Sequence, residues 1–386
     1  MGDRRRMVCY LLAAVMALSG CSVRETERET ESEKVTLEVY AWQDEKDNLE
    51  LLADAFMKQN PEIRISMNFI PDEESIQTLK TAKRRGEQID CILVPSLEKV
   101  SVMDKNGLIK NIKEDIIESG LAEAHAQWYA DSNESCQSCA VPYRMSRWAV
   151  YYNKKIFDAM NVDYPTGDWS WDDYAKTAEK LTGILNGKKV YGSLSFEPGD
   201  NWWRVPARTA GANDPMVKED LEKFRQSAEW CYHLTYDLGA QKPYTEQMGN
   251  SSVAYNAAFL EGNVAMYFSG DWSIQSLNEE IEEKGLDFEY DLAPMPYWEG
   301  EERYVIRDAA LILMTAFTDY PEETFAFMEF ASGEEGAKVL AENQVLPALD
   351  TESVIELYEN SVSMPEHVRN LFQEGKTSRL PSNPLY

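Results

Sequence analysis

Between Val35 and Val94 the spacing of apolar residues changes at every step, and this run restricts the possible folds more than any other. Val35-Thr-Leu-Glu-Val39 alternates apolar and polar residues, the period of a half-buried strand. From Glu45 to Asn60, Leu49, Leu52, Ala53 and Phe56 fall on one helix face, and Asn60-Pro61 stops that helix. Ile63, Ile65, Met67 and Phe69 alternate again, Ile76 and Leu79 mark a second helix, and Ile89-Asp-Cys-Ile-Leu-Val94 reads as a third strand. Strand, helix, strand, helix, strand requires right-handed crossovers, so an α/β fold is expected, its mostly parallel sheet covered by helices on both faces. Ligands of such sheets sit beyond the carboxyl ends of the strands, which marks Ala41-Trp42-Gln43, Pro71-Asp72 and Pro95-Ser96 as rim loops.

A length of 386 residues exceeds what one core usually organises, so a second compact unit is expected. The formal net charge of −29 excludes nucleic acid as a partner, because no basic face could dominate such a field. Ahead of the first strand, Arg4-Arg5-Arg6 form a positive segment and Met7 to Leu18 an apolar one too short to span a bilayer permanently. Residues 1–20 therefore read as a signal peptide. Leu18-Ser19-Gly20-Cys21 has the form of a bacterial lipobox, cleaved before Cys21, and acylation there would hold the chain on a membrane. Residues 21–34, rich in Glu, Arg, Thr and Ser, form a core-less tether.

Catalytic signatures are missing. His125, His233 and His367 lie far from any nucleophile elbow, and no zinc-protease, P-loop or dinucleotide-binding motif appears. Cys136-Gln-Ser-Cys139 has the spacing of a redox pair, half a metal site or a small disulfide; without a second such pair, a local disulfide or two inert thiols is the favoured reading. No metal and no cofactor are expected.

The stretch Val141-Pro-Tyr-Arg-Met-Ser-Arg-Trp-Ala-Val-Tyr-Tyr-Asn-Lys-Lys-Ile-Phe157 contains an apolar, aromatic strand at Trp148–Tyr152 and then a short helix. It resembles the segment at which extracytoplasmic sugar-binding lipoproteins of ATP-driven importers (solute-binding family 1, maltose-binding-protein-like) pass from one lobe to the other. Three further blocks carry the resemblance in order: Trp169-Ser170-Trp171-Asp172, Phe259-Leu-Glu-Gly-Asn-Val-Ala-Met-Tyr-Phe-Ser-Gly-Asp-Trp272, and Phe327-Met-Glu-Phe-Ala-Ser through Leu349. Ser170 with Asp173 and Ser332 with Glu335 look like capping boxes. Asn263 departs from the lysine or arginine common in the family just after its cap glycine.

The resemblance implies a type II periplasmic-binding-protein-like fold, with two discontinuous lobes and a ligand cleft between them. Residues 35–146 with 303–348 would form the N-lobe, and 147–302 with 349–386 the C-lobe. It also implies a sugar platform at Trp272. A sugar needs flat aromatic faces and charged hydrogen-bond partners, and Trp42, Asp72, Tyr143, Arg144, Trp203, Asp271, Trp272, Trp298 and Arg307 fall on the proposed cleft loops. Arg144 and Arg307 suit an anionic sugar or carboxylate equally. The expected protein is a monomeric, non-enzymatic carbohydrate receptor, anchored through Cys21 on the outer face of a Gram-positive cell membrane and serving the transmembrane subunits of an ABC permease. The alternatives are a surface carbohydrate-active enzyme of glycosidase type or a ligand-sensing surface protein.

Overall fold

A computed structural model describes residues 34–378 apart from 96, 131, 133, 166, 195–201, 215, 244–253 and 374. The leader, Cys21 and nearly all of the tether lie outside the described residues, as do Ser96 and residues 199–201. The opening run folds as its spacing dictates. Strands β1 (Val35–Trp42), β2 (Ile63–Ile70) and β3 (Cys91–Val94) pair in parallel in the order β2-β1-β3, connected by helices Lys46–Gln59 and Ser75–Arg85. Leu49, Leu52, Ala53 and Phe56 are the buried face of the first helix, and the helix ends at Gln59 before Pro61.

Next in the sheet come two long strands, β4 (Ala140–Asn153) and β9 (Tyr304–Met314), in the order β3-β9-β4 and antiparallel to their neighbours. Beyond β4 lie β7 (Val264–Gly270), β6 (Lys188–Leu194) and β5 (Gly183–Leu185), while β8 (Tyr290–Ala293) also pairs β4 and β10 (Lys376–Ser378) pairs β9. The sheet is therefore mixed, and its crossing strands supply much of the antiparallel pairing.

Strand β4 is longer than the Trp148–Tyr152 segment that propensity marks. Its first part, Ala140–Arg147, pairs β9, and from Trp148 onward it pairs β7 and β8. Pro142 is accommodated because the ladder is already irregular: the register jumps from Pro142↔Leu311 to Arg144↔Ala310, leaving Tyr143 as a bulge. The bulge turns to a third segment, with Ala348 N donating to Tyr143 O at 3.0 Å and Met145 N to Leu346 O at 3.2 Å.

The apolar residues divide where these segments cross. Met145 and Ala309–Met314 join a core built on β1, β3 and the helices Lys46–Gln59 and Pro321–Ser332. Trp148 and Ile306 belong to a second core under Trp171, Trp230 and Phe268, and Ala149 and Tyr151 to a third cluster around Tyr267 and Tyr290. Helix Glu334–Glu342 straddles the division, Leu340 packing with the first core and Ala337 and Ala341 with the third cluster.

The capping box at Ser170 forms, its side chain accepting from Asp173 N and the Asp173 carboxylate accepting from Ser170 N. The one expected at Ser332 does not. Gly333 is the N-cap there, because the Ser332 hydroxyl is taken by the carbonyl of Pro142 and by His125. Cys136 and Cys139 are buried thiols on helix Glu134–Cys139, not joined in a disulfide, and burial pushes Cys139 up to about 12. Among the described residues no helix is long and apolar enough to cross a membrane.

Candidate ligand-binding site

The crossing point gathers charge. Strand β1 ends at Trp42, and a 3-10 turn, Gln43–Glu45, carries Glu45 into full burial. From β4, Arg144 meets it with the side-on edge of its guanidinium, Nε to Oε1 at 3.2 Å and Nη2 to Oε2 at 2.8 Å. Two parallel bonds from a planar fork make the strongest geometry a carboxylate can accept. Burial opposes the charge on Arg144, but the carboxylates of Glu45 and Asp271 outweigh it and hold the guanidinium above its ordinary range. Tyr143 is buried in the bulge, and burial, with the Glu45 charge beside it, keeps its phenol protonated.

On the opposite side β7 ends at Gly270, and helix Trp272–Lys284 starts immediately. Asp271 is buried and accepts from Arg147 N at 3.0 Å, while its own N–H donates to Arg147 O at 2.9 Å, which locks the helix start to β4. Burial raises its carboxyl pKa, opposed by Arg144 and by that hydrogen bond. Trp272 is 38% exposed, an uncommon state for an indole, and stands edge-to-face with Trp148 at 5.5 Å. Its Nε1 donates to Tyr255 Oη at 3.2 Å. A Cβ on Gly270 would fall 1.9 Å from the Trp272 ring, so the glycine makes room for this indole. One turn on, Gln275 shares with Asp44, Asp47 and Asn48 the lining of a groove of about 690 Å³, which joins this helix to the turn after β1.

The other candidates separate. Trp42 is half-buried against the first core. Asp72 pairs with Lys99. Trp203 packs edge-on against Phe224 at 5.8 Å and keeps part of its surface. Arg307 donates to Gln373 O at 2.7 Å. Trp298 is a core residue: it is 8% exposed, and its Nε1 donates to Pro206 O at 2.7 Å. The turn that follows it made it look like a cleft residue, but the indole folds back among Trp171 and Trp230.

Sequence reading missed Glu45, Arg147 and Arg208. Arg147 is 3% exposed, bonds Asp350 on the third crossing segment and lies 5.0 Å from the Phe372 ring. Glu45 falls at the start of an amphipathic helix, where an acid is ordinary, and nothing local reveals a partner 99 residues away. Asp291, Glu366 and His367 could bring three ligand atoms within 4.8 Å of one another, yet the Asp291 carboxylate is already engaged by Tyr152 and by the backbone and ring of His367.

Two packed cores joined by crossing segments, with a part-exposed indole and a shielded ion pair near the crossing, offer groups suited to stacking and hydrogen bonding. The chain belongs to the bacterial extracellular solute-binding protein family, whose model matches residues 42–338. This is a family of binding proteins rather than enzymes. The chain is similar to the melibiose/raffinose/stachyose-binding protein MelE of Bacillus subtilis, at 20% identity over 89% of this chain and 81% of that one. Among solved structures it is similar to a sugar transporter of Rhizobium etli in an open conformation, at TM-score 0.79 and 21% identity, covering 89% of this chain and 88% of the other. The ABC substrate-binding protein Lmo0181 of Listeria monocytogenes in complex with cycloalternan aligns at TM-score 0.70 and 20% identity, over 90% and 88%. The fold is the type II periplasmic-binding-protein-like one.

Proposed function

We propose that this protein captures a carbohydrate between its two lobes and presents the closed, loaded form to the transmembrane subunits of an ATP-driven importer. The observation that carries the reading is the exposed indole of Trp272, held beside Asp271 where β7 meets a helix, at the crossing of the lobes. An indole face takes the C–H face of a sugar ring, and the polar groups around it take hydroxyls. Trp42 and Arg144 are the further cleft residues in this reading; Tyr143 supports Arg144 from below. The lobes are residues 35–146 with 303–348 and residues 147–302 with 349–386, and closure concentrates dihedral change in the crossing segments. Acylated Cys21 and its tether hold the monomer on the outer face of a Gram-positive cell membrane, within reach of the permease.

Thermal shift and calorimetry over mono- and oligosaccharides test this, since binding to the native state alone raises the melting temperature. Trp272→Ala is expected to abolish the ligand-induced rise while moving the ligand-free melting temperature little. A variant that still binds sugar at wild-type affinity removes Trp272 from the site. A sugar consumed in the mixture would point to an enzyme instead.

A further inference from the structure

Two arginines present the same edge to opposite circumstances. The Nε/Nη2 edge of Arg144 is filled by both oxygens of Glu45. In Arg208, on the short helix Val205–Arg208, the same two atoms, Nε and Nη2, are buried and have no hydrogen-bond partner, although the side chain is only 1% exposed. Its Nη1 reaches Asn213 Oδ1 at a long 3.4 Å, and its guanidinium lies 5.5 Å from the Phe224 ring. A buried charged fork with its two parallel donors unmet is costly to a fold and calls for a partner that the fold itself does not supply.

The surroundings indicate what that is. Burial pushes Arg208 down to about 10, which leaves it charged at neutral pH; Asp308 supports the charge and Arg204 opposes it. Arg204 adds a second guanidinium one helical turn away, its Nε also buried without a partner. Asp308 stands opposite Ser146 in the β4–β9 ladder, on the strand face that carries Arg144. Arg204 and Asp308 are both part-exposed. Two coplanar N–H groups match two oxygens on one atom, the geometry of a carboxylate, sulfate or phosphate. The net charge of −29 repels an anion at long range, but salt confines that repulsion to about 10 Å at ordinary ionic strength.

We propose that the Nε/Nη2 edge of Arg208 receives an oxyanion carried by the ligand, so that the carbohydrate taken by the cleft is an acidic one. This rests on the capture reading above and names the ligand class within it. The full chain is to be titrated with neutral oligosaccharides, uronic-acid oligosaccharides, sugar phosphates and sugar sulfates, with melting temperature and calorimetry as readouts. Acidic sugars are expected to bind at least tenfold more tightly than their neutral counterparts; the acidic arms tell a planar carboxylate from a tetrahedral oxyanion. Arg208→Met should leave the ligand-free melting temperature unchanged or raised, because an unmet charge is replaced by an apolar chain of similar reach. Its affinity for the acidic sugar should fall at least tenfold, and Arg208→Lys, which keeps the charge but not the fork, should fall between. If neutral sugars bind and acidic ones do not, this inference fails and carbohydrate capture stands; if no carbohydrate binds, both fail. Wild-type affinity for the acidic sugar in Arg208→Met, or in Arg208→Lys if the methionine variant does not fold, removes Arg208 from the site.

Discussion

The first core and the second are made of different material. The first is mainly aliphatic, with Leu37, Val39, Leu52, Ile92, Leu93, Leu311 and Ile312, and its rings meet in small groups, Phe56 with Phe327 at 5.3 Å and Phe330 at 5.5 Å, and Trp128 with Tyr129 at 4.9 Å. In the second, Trp171 touches Trp230 at 4.8 Å, Phe268 at 5.7 Å and Trp298 at 6.4 Å. The aliphatic core sits under strands whose backbone is satisfied by the ladder, and it needs only apolar volume. Three indoles of the aromatic core also place an N–H on a segment outside the sheet: Trp169 on Pro294 O, Trp298 on Pro206 O, Trp171 on the Thr209 hydroxyl. Those side chains tie down loops that no strand pairs. An abundance of tryptophan in such a chain therefore speaks first of scaffold, and only an exposed one speaks of ligand.

That contrast can be broken by substitution. Trp171→Ala removes volume, an N–H anchor and several ring contacts at once, and should cost about 4 kcal/mol by chemical denaturation; a loss under about 1 kcal/mol would deny the aromatic core its role. Leu52→Ala, in the aliphatic core, should cost about 3 kcal/mol through transfer and cavity alone. Glu45→Gln strands Arg144 without its counter-charge; because that side chain keeps 18% of its surface, the expected cost is about 2 kcal/mol. If the double change Glu45→Gln with Arg144→Met is no more stable than Glu45→Gln alone, the pair is not coupled as described.

The smallest effect concerns His367, whose ring meets the buried Asp291 at 2.5 Å. The hydrogen bond to Asp291 is the main cause that raises its pKa above 6.5. A raised pKa means stability fully present below the ordinary value and lost as pH climbs through the raised one. With 60% of its side chain exposed, the pair should contribute on the order of a few tenths of a kcal/mol. Melting curves from pH 6 to 8 should show this loss in the wild type and not in His367→Ala; identical slopes would discard the pair.

The β-α-β-α-β opening was legible because local period dictates it: every apolar residue from Leu37 to Phe56 that the spacing assigned to the core is buried. The crossing was legible at Trp148–Tyr152, where β-branched and aromatic residues cluster, and not at Ala140–Arg147, where Pro142 and two arginines disguise a strand that only tertiary pairing makes regular. The candidate site was legible in part for the same reason. Trp272 follows a glycine turn that sequence displays, whereas Glu45, Arg147 and Arg208 owe their character to burial and to partners far along the chain, neither of which has a local signature.

The place of β9 has a consequence for how the molecule comes into being. It lies between β3 and β4, so the sheet has a gap at its centre until Tyr304–Met314 has been made. A chain growing from its amino end therefore exposes an unfinished strand edge on β3 through most of its synthesis, and the helix bearing Phe327 that covers Phe56 arrives later still. Such long-range closure is slow by nature. In the surface-anchored role proposed above, where the chain passes a membrane before it folds, lateness is useful: the fold cannot lock before nearly all of the chain is available to pass.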